Sequence, residues 1–245
     1  MKRIILILVI TVLLFSFVSA DVYIKTKTHT DAVAIMGQKQ PAKDEIIEQW
    51  LGDNIYANIT GKQTMIIDMN KKMVYILMHA NKSYVETPLP LDMKKLLPAQ
   101  AAQMLAMMKL TITVTPTTET KVINKWKCIG YDMNMSMRMM TMKSRIWATK
   151  DVPFDWRKFQ EKFGVETFKA TMASMQIGEE AINEMKKIHG FQVSTEMTMT
   201  IMGQKVKVSS SVIEITKKSA PAGVYTIPSD YRKESKLSMK ALGRK

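Results

Sequence analysis

The chain has 245 residues, 46 % of them hydrophobic, and 36 Lys+Arg against 22 Asp+Glu give a formal net charge of +14. That length and apolar content suit one ordinary domain with a real core. A single cysteine, Cys128, excludes an internal disulfide, so burial alone must hold the fold.

The N-terminus opens with Lys2-Arg3, an apolar run from Ile4 to Val18, and Val18-Ser19-Ala20. A basic n-region, a short h-region and small residues before the junction predict a secretory signal peptide over 1–20, cleaved after Ala20. The run is short for a span of about 20 residues. No cysteine stands at the junction, so no lipid anchor of the bacterial lipoprotein kind is expected. Losing Lys2 and Arg3 takes the net charge from +14 to +12. The expected compartment is the periplasm. There a basic protein meets anionic lipid headgroups and acidic polysaccharide, not nucleic acid.

Short strands follow. Asp21–Met36 and Lys39–Trp50 read as a first hairpin. Ile55–Ile59, Met65–Asp68, Met73–Met78 and Ser83–Glu86 continue as an antiparallel meander with a turn every 8–12 residues or so. From Leu91 to Met108 the spacing changes to three and four: Met93, Leu96, Leu97, Ala101, Met104, Leu105 and Met108 predict an amphipathic helix. Asp92 caps it and Pro98 breaks it.

Strands resume at Leu110–Thr115, Lys121–Cys128, Tyr131–Met139 and Lys143–Thr149. A second helical block runs from Asp155 to His189. Its stripes are Trp156/Phe159/Phe163, Phe168/Met172/Met175 and Ala181/Ile182/Met185/Ile188, with Gly190 as the C-terminal cap. Phe191–Ile201 and Val206–Ile215 form a last hairpin, Ala220-Pro221-Ala222-Gly223 turns, and a short strand is expected around Val224–Ile227. The segment 232–245 is a basic tail beyond a single domain over 21–231: Arg232, Lys233, Lys236, Lys240, Arg244 and Lys245 face Glu234 alone. The fold class is α+β, a long curved antiparallel sheet (a half-barrel) with helical insertions covering the concave face.

Two patterns stand out. Met36-Gly37-Gln38-Lys39 recurs as Met202-Gly203-Gln204-Lys205, and Met140-Thr141-Met142-Lys143 has the same outline. Each reads as a tight hairpin turn. Met133-Asn134-Met135-Ser136-Met137-Arg138-Met139 places a large flexible apolar side chain at every second position, and Met197-Thr198-Met199-Thr200-Ile201 repeats the design. Period two predicts strands with a methionine-paved face, and the unbranched, polarizable thioether suits apolar shapes that vary.

Met65-Ile66-Ile67-Asp68-Met69-Asn70-Lys71-Lys72-Met73-Val74-Tyr75, Asn81-Lys82-Ser83-Tyr84-Val85-Glu86, Gly130-Tyr131-Asp132-Met133, Lys143-Ser144-Arg145-Ile146-Trp147-Ala148-Thr149-Lys150-Asp151 and Ile227-Pro228 carry a resemblance over most of the chain. It resembles the LolA/LolB-like periplasmic lipoprotein-carrier superfamily, and within it a bacterial family of exported proteins with no assigned function. The resemblance implies a hydrophobic cavity between sheet and helices that holds acyl chains, and no catalytic residues. Methionine stands here where the carriers are rich in aromatics.

The candidate ligand-binding residues are Met133, Met135, Met137, Met197, Met199 and Ile201 on the sheet side, with Leu97, Met104, Leu105 and Met108 on the helix side. The expected partner is a lipid or acylated molecule, with an anionic membrane surface as a further contact. One alternative is a structural envelope protein whose helices fill the concave face. The other is Cu(I) held by Met133, Met135 and Met137, which needs three sulfurs open to solvent on one edge. His29, His79 and His189 are scattered, and Cys128 has no activating base beside it. No motif of nucleophilic, metal-assisted or phosphate-binding chemistry is present. No enzymatic activity, resident metal or cofactor is therefore expected. Three glycosylation sequons begin at Asn58, Asn81 and Asn134, and they matter only in a eukaryotic secretory pathway.

Overall fold

In the computed structural model, residues 20–35, 38–106, 110–137, 140–171, 178–201 and 203–237 are described. β1 (Asp21–Thr30) is followed by a separate two-stranded ribbon, β2 (Val33–Ile35) and β3 (Gln38–Gln40), and then by β4 (Lys43–Leu51). β1 and β4 pair from Val22 opposite Leu51 to Thr30 opposite Lys43. The expected single hairpin is thus two ladders, interrupted at Asp31-Ala32 and at Pro41-Ala42. Proline has no N–H to donate, so a ladder stops there. Met36-Gly37 lies outside the described residues.

The meander follows as expected: β5 (Ile55–Ile59), β6 (Gln63–Asp68), β7 (Met73–Met78) and β8 (Ser83–Pro88). The predicted helix comes in two pieces, α1 (Met93–Leu96) and α2 (Ala99–Ala106). The Asp92 carboxylate accepts the Lys94 N–H at 3.0 Å, and Leu97 before Pro98 is extended. The proline disfavours helical backbone at the residue before it.

β9 (Thr111–Ile123) and β10 (Trp126–Met137) form one long hairpin. This corrects the strand expected over Lys121–Cys128. Ile123 pairs with Trp126, and Asn124 turns the chain at φ 53°. Pro116 stays within β9 because β9 is an edge strand. β11 (Met140–Thr149) begins with Met140 opposite Met137, so Met140 and Thr141 are strand residues. The expected turn there is corrected. Arg138 and Met139 lie outside the described residues.

The second helical block contains α3 (Trp156–Phe159), a π turn over Gln160–Gly164, α4 (Val165–Thr171) and α5 (Glu179–Met185). Met172 and Met175 lie outside the described residues. Gly190 is not the cap of α5, which ends at Met185 with Lys186 following. It sits at φ 138°, where a Cβ would come within 2.7 Å of the Thr149 carbonyl oxygen. Glycine is needed there for close backbone approach.

β12 (Phe191–Ile201) and β13 (Gln204–Lys218) form the late hairpin, with Ile201 opposite Gln204 and Gly203 at φ 81°. The strand expected at Val224–Ile227 is turn structure instead. The last strand, β14 (Arg232–Lys233), lies parallel to β8. The basic segment therefore starts on the sheet, and Leu237 is buried beneath α1, its N–H donating to the Leu96 carbonyl at 2.8 Å.

One twelve-stranded sheet results, in the order β14-β8-β7-β6-β5-β4-β1-β13-β12-β11-β10-β9. It is curved and open, with helices on its inner face. Tyr56, Met65, Ile67, Val74 and Ile76 pack there under α1, Phe159 and Phe163. Their strand neighbours Ala57, Ile66 and Leu77 face outward and are covered by Ala220, Val224, Tyr225, Ile227 and Tyr231. At one end of the sheet Val22, Ile24, Trp126, Cys128, Trp147, Val193, Val212 and Ile215 form a separate cluster, closed by Val152, Phe154 and Phe191.

Candidate functional site

Cross-strand pairing assembles the methionines into rows. Met135 stands opposite Ile112 of β9 and Met142 of β11. Met142 stands opposite Met199 of β12, and Met199 opposite Val206 of β13. One apolar row therefore crosses five strands. The next row is Val114, Met133, Ser144, Met197 and Val208. Directly opposed residues share a face, so both rows lie on the inner side. Asn134 and Ser136, between them in β10, are exposed on the other side. Met133, Met135 and Met142 are buried; Met137, Met197, Met199 and Ile201 are half-buried.

Ala181 and Met185 of α5, Ile188 and Phe168 pack onto this floor. α5 is fastened by Glu184, whose carboxylate accepts the Val114 N–H at 2.7 Å on the free edge of β9. Its pKa lies below the usual glutamate value, first because of Lys187 and then because of that backbone N–H.

The expected helix side is not assembled with the floor. Leu97 belongs to the cluster of Tyr56, Met65 and Ile67, on the same inner face but toward the other end of the sheet. Amphipathic spacing shows that a helix has an apolar face but not which patch of a long sheet receives it. The side chains of Met104 and Leu105, and Met108 altogether, lie outside the described residues.

The central strands separate the two apolar patches. Val22, Ile24, Thr26, Thr28 and Thr30 share one face of β1. Val22 joins it to Tyr56 through Leu51, and Thr30 joins it to Met197 through Val208. On this inner face Thr26, Thr28, Thr30, Ser210 of β13 and Thr195 of β12 form a half-buried strip of hydroxyls. At its border the buried Tyr56 hydroxyl accepts from Gln49 at 2.6 Å and Asn58 at 3.3 Å. Burial pushes the Tyr56 pKa up to about 12, so it stays neutral. The inner face is thus amphipathic: a methionine floor, a hydroxyl strip and a second apolar patch.

The Met142, Ser144, Ile112 and Val114 contributions to this floor were not among the sequence candidates. The turn-like outline of Met140-Thr141-Met142-Lys143 hides Met142, and the others carry no local signal beyond alternation. The condition for Cu(I) is not met by Met133 and Met135, which are 7 % and 2 % exposed. Among the described residues no group of three His, Cys, Asp or Glu could hold a metal ion. Cys128 is buried, and burial raises its thiol pKa, which disfavours the reactive thiolate. Two cavities, of about 570 and 650 Å³, lie elsewhere and include none of the ten expected residues. No helix among the described residues is long and apolar enough to cross a membrane.

The sequence profile of DUF4412, a domain of unknown function, matches residues 43–231, and the chain belongs to that family. No curated protein matches it. Among solved structures it is similar to a Vibrio parahaemolyticus domain named for outer membrane lipoprotein sorting. The likeness covers 83 % of this chain and 88 % of that one at 7 % identity, with a TM-score of 0.30.

Proposed function

We propose that this protein is a non-enzymatic envelope protein that binds a lipid or lipidated molecule on the inner face of its sheet. The observation that carries this reading is the continuous row Ile112–Met135–Met142–Met199–Val206, beside which the half-buried Met197 and Val208 of the next row border the hydroxyl strip. An acyl chain lies along the methionines, and the polar end of the same molecule meets Thr26, Thr28, Thr30 and Ser210. Long flexible thioethers adapt to chains of different length at little cost. The signal-like N-terminus and the sequence resemblance to lipoprotein carriers support a periplasmic location. The positive charge supports contact with anionic membrane. Native mass spectrometry after gentle extraction tests the reading: a bound lipid mass, lost in Met199→Asp, supports it, and ligand-free protein from lipid-rich extracts overturns it.

A second reading, a structural envelope protein with a filled core, is favoured by one observation. Met133, Met135 and Met142 are already covered, with α5 pinned over them by Glu184. Under that reading no lipid copurifies and none is taken up.

A further inference from the structure

The outer face of the same strands carries a different arrangement. Asp132, Arg145 and Glu196 stand opposite one another across β10, β11 and β12. With Lys121, Lys143 and Trp147 they border a shallow groove of about 570 Å³. The Arg145 guanidinium is committed: it donates to Asp132 at 2.8 and 3.3 Å and also to Glu119. Three other charges are not. Lys121, Lys143 and Glu196 make no ion pair with any described residue; the Lys121 ammonium lies 5.5 Å over the Trp147 ring. Trp147 supplies an independent sign of a missing partner. It is 6 % exposed, and its indole N–H is buried without an acceptor. Native proteins leave few buried donors unmet, because each one forfeits its hydrogen bond to water.

We propose that this groove binds a zwitterionic aminoalkyl phosphate. Two uncommitted ammonium groups, one of them over the Trp147 ring, are donors for an oxyanion, and Glu196 is an acceptor for an amine. With Arg145 offset by Asp132 and Glu119, the groove charges sum to zero. A simple anion would leave Glu196 facing it, and a simple cation would leave both lysines. Lys143 and Glu196 are diagonal neighbours on paired strands, a relation that spaces backbones about 7–8 Å apart. A phosphate and an amine joined by two carbons fit between their side chains. The size lies within the usual range for small-molecule sites. The source is either a lipid headgroup or a free ester, and the site is independent of the inner-face reading.

The probe is glycerophosphoethanolamine, titrated into the mature protein and read at the Trp147 indole N–H by NMR, assigned with Trp147→Phe. The expected result is a saturable shift in the millimolar range. Affinity falls about tenfold or more for glycerol phosphate, for ethanolamine, for Lys143→Gln and for Glu196→Gln, since each loses a charge-assisted contact. Both substituted side chains are exposed, so the fold is retained. Co-sedimentation with phosphatidylethanolamine vesicles that also depends on Lys143 and Glu196 assigns the headgroup. Binding of the soluble ester alone assigns a free ester, and both support the site. No saturable shift, equal binding of glycerol phosphate, or wild-type affinity in Glu196→Gln overturns it. None of these outcomes touches the methionine floor, which lies on the opposite face.

Discussion

Met135 of β10 stands directly opposite Met142 of β11, and the two are 2 % and 6 % exposed. They lie seven positions apart in the chain, on either side of a hairpin, and form the middle of the five-strand row. Truncating Met135 to Ala should cost about 2–5 kcal/mol, because neighbours on both flanking strands cannot all close the gap. Asn134→Ala, one residue away on the outer face, should change stability by no more than about 0.5 kcal/mol. Urea midpoints at constant slope check both, and equal costs would refute the alternation.

The C-terminal segment holds the other end of the sheet together. Tyr231 covers the outer face, Arg232 and Lys233 pair with the edge of β8, and Leu237 is buried on the inner face beneath α1. Leu237→Ala should cost about 2 kcal/mol or more and loosen α1 selectively. Hydrogen exchange should quicken at Met93–Leu97 while β6 and β7 keep their protection. Unchanged exchange at α1 would mean that Leu237 is not what holds it.

Gly190 offers a backbone test. An alanine there meets the Thr149 carbonyl at 2.7 Å in a conformation that L residues avoid, so Gly190→Ala should destabilise by at least about 2 kcal/mol. Gly61 has open space around its Cβ position and no left-handed φ. Gly61→Ala should be neutral or slightly stabilising, within about 1 kcal/mol. Thermal melts of the two variants separate these outcomes.

The Glu184 contact predicts a pH dependence. The folded state holds this carboxyl below its ordinary value through Lys187 and the Val114 N–H. A depressed acid stabilises above its unfolded pKa, about 4.3, and that contribution is lost as pH falls through the lower folded value. Wild type should therefore melt above Glu184→Gln at pH 6–7, and the gap should narrow progressively as pH falls below about 4.3. A gap that does not shrink with falling pH would contradict the assignment.

Much of the fold is legible because its signal is local. Met133 to Met137 alternates strictly, and the structure keeps that alternation in burial. Asp92 and Pro98 mark a helix start and break that the backbone follows. The failures are places where a local pattern has two solutions. Lys121–Cys128 alternates like one strand, yet Asn124 takes a left-handed conformation and makes it a hairpin. Met140-Thr141 has the outline of a turn motif but continues a ladder with Met137. The site is less legible than the fold. β1 pairs with β13 nearly two hundred residues later, with Asp21 opposite Lys218. That pairing places Thr26, Thr28 and Thr30 between two apolar patches and sends Leu97 to the wrong side of them for contact with Met133. No spacing along the chain encodes that separation.

Uptake of an acyl chain by the methionine floor can be read directly. Methyl-labelled methionine gives one NMR signal per side chain, and titration with a long-chain fatty acid reads them all at once. Saturable shifts are expected at Met197 and Met199, then at Met135 and Met142 as the chain seats. Met65 and Met78, across the hydroxyl strip in the other apolar cluster, should stay unmoved. Uniform small shifts at every methionine, or none at Met197 and Met199, would contradict it.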